Sequence, residues 1–259
     1  MWEEAAEMEH AESAFELANV LLQEDEENPK ILPYLKAAAR QSHTEALATL
    51  GEWCLYGYFG VKKDQKNGMR ISTVAAERGH VKALVSVANY LLRSRDGAED
   101  HQKALSYLEI ATNKGSSIAP LYLGGIYQGY TEGISRDYAK AAEYFQVAAE
   151  RGEPAGLMFL GLMHKNQFGL PYDEEKIKTL LRQAGDAGES EAYFHLGIWL
   201  EGNGKPVLGG GYLFKSAMNG YEKAQRVLES RYSEGVGVFP LDKAKATYWL
   251  FKAHASGQK

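Results

Sequence analysis

Seven histidines, one cysteine and a surplus of carboxylates are the side chains of this 259-residue chain that could do chemistry, and their spacing decides what chemistry that would be. His10, His43, His80, His101, His164, His195 and His254 stand far apart. No His-x-x-x-His pair and no Cys partner occurs among them, so no zinc-ligand spacing is written in the sequence. His43 and His80 follow the helix-ending position of their segments, which points to a structural surface role. Cys54 lies behind Trp53 in a helical pattern and reads as a small core residue. As a single cysteine it forms no intramolecular disulfide and suits a reducing compartment. There is no Gly-x-Ser-x-Gly elbow and no phosphate loop. The glycine-rich turns follow helices rather than strands, which is the wrong context for a nucleotide cradle. Glu26-Glu27 and Glu174-Glu175 fall at helix starts, where carboxylates complement the helix dipole. The sequence therefore offers no catalytic residues, no cofactor and no metal site, and the chain reads as a protein that is not an enzyme.

Composition narrows the classes further. The net charge of -5 argues against a nucleic-acid groove as the main purpose. No run of 18 apolar residues provides a membrane span. Ten acidic residues and one basic residue, Lys30, precede residue 31, the pattern of a solvated capping face. Met1-Trp2-Glu3-Glu4 lacks the features of a secretory leader. The expected compartment is the cytoplasm, or the periplasm where a leader has been removed.

The elements that position these residues are repeated. Glycines that close a helix recur at Gly79, Gly115, Gly152, Gly188, Gly220 and Gly257, with spacings of 36, 37, 36, 32 and 37 residues. A second marker moves with them: Leu50-Gly51, Leu123-Gly124, Leu160-Gly161 and Leu196-Gly197, with Val87-Ala88 and Leu228-Glu229 as degenerate copies. A period near 36 residues is the signature of a stacked solenoid. Each unit reads as two short amphipathic helices joined by a glycine-rich turn and ended by glycine. Asp64, Asp137, Asp173 and Asp242 stand where the second helix starts. The expected fold is all-α, about seven antiparallel helix-turn-helix repeats in a single elongated domain over 1–259. Its repeats are 1–43 (irregular), 44–79, 80–115, 116–152, 153–188, 189–220 and 221–257.

Several copies deviate. In the first, Asn28-Pro29 is a helix start and Ser42 takes the place of the closing glycine. The third replaces the glycine turn with Arg93-Ser94-Arg95-Asp96-Gly97. In the sixth, Gly209-Gly210-Gly211 stand where the second helix should begin, at a loss of ~1 kcal/mol each relative to alanine. Either that helix starts late, near Tyr212, or backbones approach closely here. A bulky residue at Gly161 or Gly197 is expected to cost ~1 to 3 kcal/mol by overpacking.

Ala224, Leu228, Tyr232, Gly235-Val236-Gly237-Val238, Lys245-Ala246, Trp249, Ala253 and Gly257 spell out a pattern that resembles the Sel-1-like repeat, a relative of the tetratricopeptide repeat. The resemblance covers nearly the whole chain, with departures at Glu229, Gly209 and the shortened sixth repeat. It implies a right-handed superhelix whose first helices line a concave surface. It also implies a non-enzymatic adaptor or scaffold that binds another protein, with no chemistry of its own. In bacteria such proteins include secreted, periplasmic and host-interaction factors. Some are immunity proteins that neutralise a secreted toxic effector of the type VI secretion kind, which is the alternative reading of function. A cell-envelope glycan-associated factor, with rim aromatics stacked on sugars, is a further alternative.

On the first helices, the residue before the marker leucine and the second residue after it should face the groove. These are Thr49 and Glu52, Ser86 and Asn89, Tyr122 and Gly125, Phe159 and Leu162, His195 and Ile198, and Val227 and Ser230. Tyr122, Phe159, Leu162, His195 and Ile198 would form an apolar partner-binding patch. The competing reading buries them against the next repeat. Tyr56, Tyr58, Phe59, Tyr130, Phe168 and Tyr172, on the rim turns, are the second candidate surface.

Overall fold

Apolar side chains recurring at three and four residues bury one stripe of each segment, and in the computed structural model they form fourteen helices among the described residues, which are 10–93, 97–129 and 131–256. The acidic start before His10, residues 94–96, Tyr130 and Gly257 lie outside the described residues. By contacts the chain divides into two units, residues 1–119 with 130–135 and residues 120–129 with 136–259.

The first unit holds α1 (Ala11–Glu24), α2 (Ile31–Arg40), α3 (Thr44–Tyr56), α4 (Gln65–Glu77), α5 (Val81–Arg93) and α6 (Ala98–Asn113). Helices pair as α1 with α2, α3 with α4 and α5 with α6, and each pair packs on the next through α2 on α3 and α4 on α5. Ala14, Ala18, Leu35, Ala38, Leu50, Trp53 and Cys54 are part of its core. The start foreseen at Pro29 is displaced: α2 begins at Ile31, and Asn28 instead closes a turn by accepting from the Lys30 amide at 3.0 Å.

The second unit holds α7 (Ala119–Gln128, whose first residue belongs to the first unit), α8 (Tyr138–Glu150), α9 (Pro154–Asn166), α10 (Glu174–Asp186), α11 (Ser190–Gly202), α12 (Pro206–Met218), α13 (Glu222–Glu234) and α14 (Lys243–Ser256). Its pairs are α9 with α10, α11 with α12 and α13 with α14, stacked through α8 on α9, α10 on α11 and α12 on α13. Tyr127 stacks on Tyr144 at 5.8 Å between α7 and α8. A mostly buried ion pair ties α11 to α13: Arg231 donates to both carboxylate oxygens of Glu201, at 2.5 and 2.7 Å.

The repeated polar residues are caps. Asp64, Asp137, Asp173 and Asp242 each accept, at 3.0 Å, the amide three residues on, which satisfies one of the orphan donors of the second helix. The amides of Asp64, Asp137 and Asp242 in turn donate to the carbonyls of Cys54, Tyr127 and Tyr232, pinning the turn onto the end of the first helix. The first helices use histidine the same way: the Nδ1 of His43 accepts from the Ala46 amide at 3.3 Å, and that of His80 from Ala83 at 3.2 Å. At the other end the closing glycines Gly79, Gly115, Gly152, Gly188 and Gly220 take positive φ, and Ser42 does so as well, at φ 68°.

Small residues let paired backbones touch. A Cβ on Gly68 would lie 2.9 Å from the Gly51 carbonyl oxygen, and one on Gly209 would lie 2.6 Å from that of Gly197. This settles the three glycines of the sixth repeat. The helix does not start late: α12 begins at Pro206, and Gly209 is there because the backbone of α11 passes against it. Gly210 sits against Val238 and Phe239, whereas Gly211 faces open space. The two marker glycines also differ, since a Cβ on Gly161 meets only leucine side chains at 3.0 Å or more, while one on Gly197 meets backbone.

Two outcomes are expected. In urea unfolding, Gly209→Ala destabilises by ~1 to 3 kcal/mol through overpacking, although alanine is the better helix former. Gly211→Ala, two positions on, stabilises by about 0.5 to 1 kcal/mol because its methyl group meets nothing. Burial holds the His80 imidazole below the ordinary histidine value of 6.5. The folded chain therefore takes up this proton later than the unfolded one. The associated stability is complete above that ordinary value and drains away as the pH falls through the folded-state value. His80→Asn keeps a cap acceptor without titrating, so unfolding measured from about pH 7.5 to about pH 5 should show the wild type losing stability relative to this variant as the pH falls.

Candidate partner-binding surfaces

Five of the seven histidines make contacts that hold the fold. Besides the caps at His43 and His80, the Nδ1 of His101 lies 3.1 Å from the Glu132 carbonyl oxygen, that of His164 2.8 Å from the Pro171 oxygen, and that of His254 2.8 Å from the Leu250 oxygen. Cys54 is buried in the core, and burial pushes its thiol up from the ordinary cysteine value. Among the described residues no three His, Cys, Asp or Glu side chains converge as a metal site would need.

In the first unit the predicted groove positions Thr49, Glu52 and Ser86 line a cleft of about 510 Å³ between α3 and α5, with Phe15 and His80 at its sides. In the second unit the predicted apolar row divides. Phe159 stacks on Phe145 of the preceding helix, ring centroids 4.7 Å apart, and both Phe159 and Leu162 pack partly against the core that includes Met158 and Leu196. Tyr122 is half-buried on α7. His195 is half-buried on α11, edge-on to Phe194 at 5.7 Å and 3.5 Å from the Glu191 carboxylate. Its burial lowers the imidazole pKa, opposed by Glu191 and reinforced by Lys165 of α9 and Lys223 of α13. Those two lysines bring the charge of the neighbouring first helices onto the same ring. Ile198, one turn on, is exposed. The row is thus open at its α11 end and shared with the core at α9.

Glu191 is the hub of this face. Its Oε1 accepts the Tyr221 hydroxyl at 2.6 Å as well as facing His195, and burial and this carboxylate push the Tyr221 phenol up. Tyr193 binds Asp186 in the same manner, and burial first, then that bond, raises it to about 12.

The rim aromatics fall into two groups. In the first unit Tyr56 stacks on Tyr58 at 5.4 Å, Tyr58 meets Phe59 edge-on at 6.4 Å, and Phe59 is anchored on Trp53 at 4.4 Å; the first three are exposed. In the second, Phe168 stacks flat on Tyr138 at 5.1 Å, and Phe168 and Tyr172 are exposed. Tyr130 lies outside the described residues.

Two features were not singled out from the sequence. A cleft of about 690 Å³ lies between α8 and α10, floored by Leu160 and His164 and closed by Leu170 and Pro171. The turn that forms it varies too much between repeats to be read from spacing. The second feature is a set of exposed apolar residues on the outward side of α12 and α14, among them Val207, Phe214, Met218, Tyr248 and Phe251. Comparing outward positions from repeat to repeat would have found it.

The Sel1 repeat family model matches residues 44–80, 81–116, 121–153, 154–189 and 230–257. No curated protein matched the sequence. Among solved structures, the chain is similar to a Sel1 repeat protein from Oxalobacter formigenes, with 27% identity and a TM-score of 0.75, over 99% of this chain and 77% of that one. It is also similar to two immunity proteins from Pseudomonas aeruginosa, PA5088 and PA5087. Both are 18% identical, with TM-scores of 0.61 and 0.59, over 83% of this chain and 82% of theirs. At that identity the likeness is one of fold alone. The capped helix pairs, the closing glycines and five matched segments lead to one conclusion: the chain belongs to the Sel1 repeat family.

Proposed function

We propose that the protein is a non-enzymatic scaffold that binds another protein through the first-helix face of its second unit and the aromatic rim turns. The observation that carries this reading is the α11 end of that face. Ile198 is exposed beside a half-buried His195, and the polar groups around them, Glu191 and Tyr221, are already paired with one another. An apolar centre with a satisfied polar surround is the form that interface hot spots take. The exposed Tyr56, Tyr58 and Phe59 cluster supplies rigid aromatic contact area of the kind enriched in interfaces.

A sharper reading is an immunity protein that occludes a toxic effector. It is favoured by the likeness in fold to the two Pseudomonas aeruginosa immunity proteins, and it comes to this chain only as a proposal. Co-expression with the product of the neighbouring gene tests both readings. The chain should co-purify with that product and, on the sharper reading, relieve its toxicity. Ile198→Glu combined with Tyr122→Ala should weaken capture at least ~100-fold while leaving the far-UV spectrum intact. Capture that survives both substitutions removes this face from the account, and co-purification without relief of toxicity removes immunity.

A further inference from the structure

Counted back from the closing glycine of each repeat, the positions 13, 9, 6 and 2 residues earlier form one stripe along the outward side of the second helix. In α4 the four are Lys66, Arg70, Thr73 and Glu77. In α6 they are Gln102, Ser106, Glu109 and Asn113. In α8 three of the four are Glu143, Gln146 and Glu150, and in α10 all four are polar, with Glu175 and Arg182 among them. The stripe is what solvent demands: exposed or half-buried, and polar. In α12 the same positions carry Val207, Gly211, Phe214 and Met218, and in α14 they carry Ala244, Tyr248, Phe251 and Ala255. No charged or amide side chain remains in either stripe, yet both stay exposed; Val207 and Phe251 are each 76% accessible.

The two stripes adjoin. Phe214 meets the buried Trp249 at 5.5 Å, and Trp249 meets its neighbour Tyr248 at 5.0 Å, so the two stripes are linked through a core ring beneath them. The two helices themselves carry charge of one sign, although Asp242, the residue before α14, pairs with Lys245. Neither α12 nor α14 contains an Asp or Glu, although the chain as a whole carries -5. Lys243 and Lys252 are exposed on α14, with the Lys252 ammonium 5.7 Å from the Tyr248 ring centre, whereas the Lys215 ammonium of α12 turns to the Tyr193 and Tyr212 rings.

From this we infer that the outward face of α12 and α14 binds the surface of an anionic lipid membrane. Val207, Phe214, Met218 and Phe251 project as knobs, and a bilayer accepts projecting apolar side chains without a pocket shaped to each. Tyr248 suits the headgroup level, and the lysines reach anionic headgroups while their stems lie along apolar surface. A second copy of the chain docked by the same face would bring Lys243 and Lys252 of both copies into one apolar interface, and neither α12 nor α14 carries an Asp or Glu to pair with them. The face lies on the second helices, so it is separate from the first-helix face proposed above for a protein partner, and either can fail without the other.

Vesicle flotation of the whole chain decides the matter. The chain should float with vesicles of phosphatidylcholine mixed with equal parts of phosphatidylglycerol, far less with phosphatidylcholine alone, and less as salt is raised. Val207→Glu with Phe251→Glu, both at highly exposed positions, should lower partitioning at least ~10-fold with an unchanged far-UV spectrum. Lys243→Glu with Lys252→Glu should remove the preference for the mixed vesicles. A wild-type chain that stays in the soluble fraction with both vesicles overturns the inference, as does flotation that none of these substitutions alters. It is equally overturned if light scattering shows a dimer that the same substitutions dissolve while no vesicle binding occurs, or if the chain binds an acidic amphipathic peptide but no vesicle.

Discussion

Everything in this chain depends on how closely two helix backbones can lie. A pair of helices of 10 to 16 residues buries too little apolar surface to stand alone, so stability has to come from stacking pair on pair. Where Gly197 faces Gly209, and Gly51 faces Gly68, no side chain keeps the paired backbones apart. The large residues then close the gaps: Phe145 and Leu181 are fully buried between successive pairs, and Ala148 and Ala184 keep the spacing short on the next turn. A single added methyl at Gly209 would strike the Gly197 carbonyl, which is why a glycine stands there in spite of its poor helix propensity.

This constraint divides the residues into two sets. One set, at fixed offsets in most of the repeats, makes the framework: the capping aspartates, the closing glycines, the buried alanines and leucines. The other set points outward or into clefts and is free to vary, so it is where each repeat acquires its own character. In the second unit the first-helix positions gather Ile198 and His195 around the Glu191 hub, while the second-helix positions turn from polar to apolar between α10 and α12. The histidines with assigned contacts cap helices or meet backbone carbonyls or Glu191.

The framework was legible because it is local and repeated. Asp64 and its three counterparts announce a helix start through one hydrogen bond to an amide three residues on, and the closing glycines announce a left-handed turn. The cap made by His80 was half legible: its place in the repeat marked it as structural, but that an imidazole accepts the Ala83 amide depends on a rotamer. Gly209 left two readings open because a close approach involves α11, and no local signal reports a neighbour. The same holds for Phe159, whose groove-facing position gave no sign that Phe145 would stack on it. The start of α2 moved from Pro29 to Ile31 because Asn28 satisfied a turn before the helix began. The apolar stripes of α12 and α14 lay in plain sight at fixed offsets. Glycines and leucines mark what the repeats share, and these stripes are something they do not share.

The central claim is that framework and recognition positions are separable in this chain. It is tested most directly by giving α12 and α14 polar residues at the outward positions where α4 to α10 carry them. The replacements are Val207→Lys, Met218→Glu and Phe251→Gln, the large apolar stripe residues without a ring contact to the buried Trp249, and the readout is thermal unfolding. The account predicts one cooperative transition within about 3 °C of the wild type, since exposed positions away from caps and core each change stability by only a few tenths of a kcal/mol. A midpoint lowered by about 10 °C or more, or a transition that loses its cooperativity, would show that these side chains hold the fold together and would contradict the account.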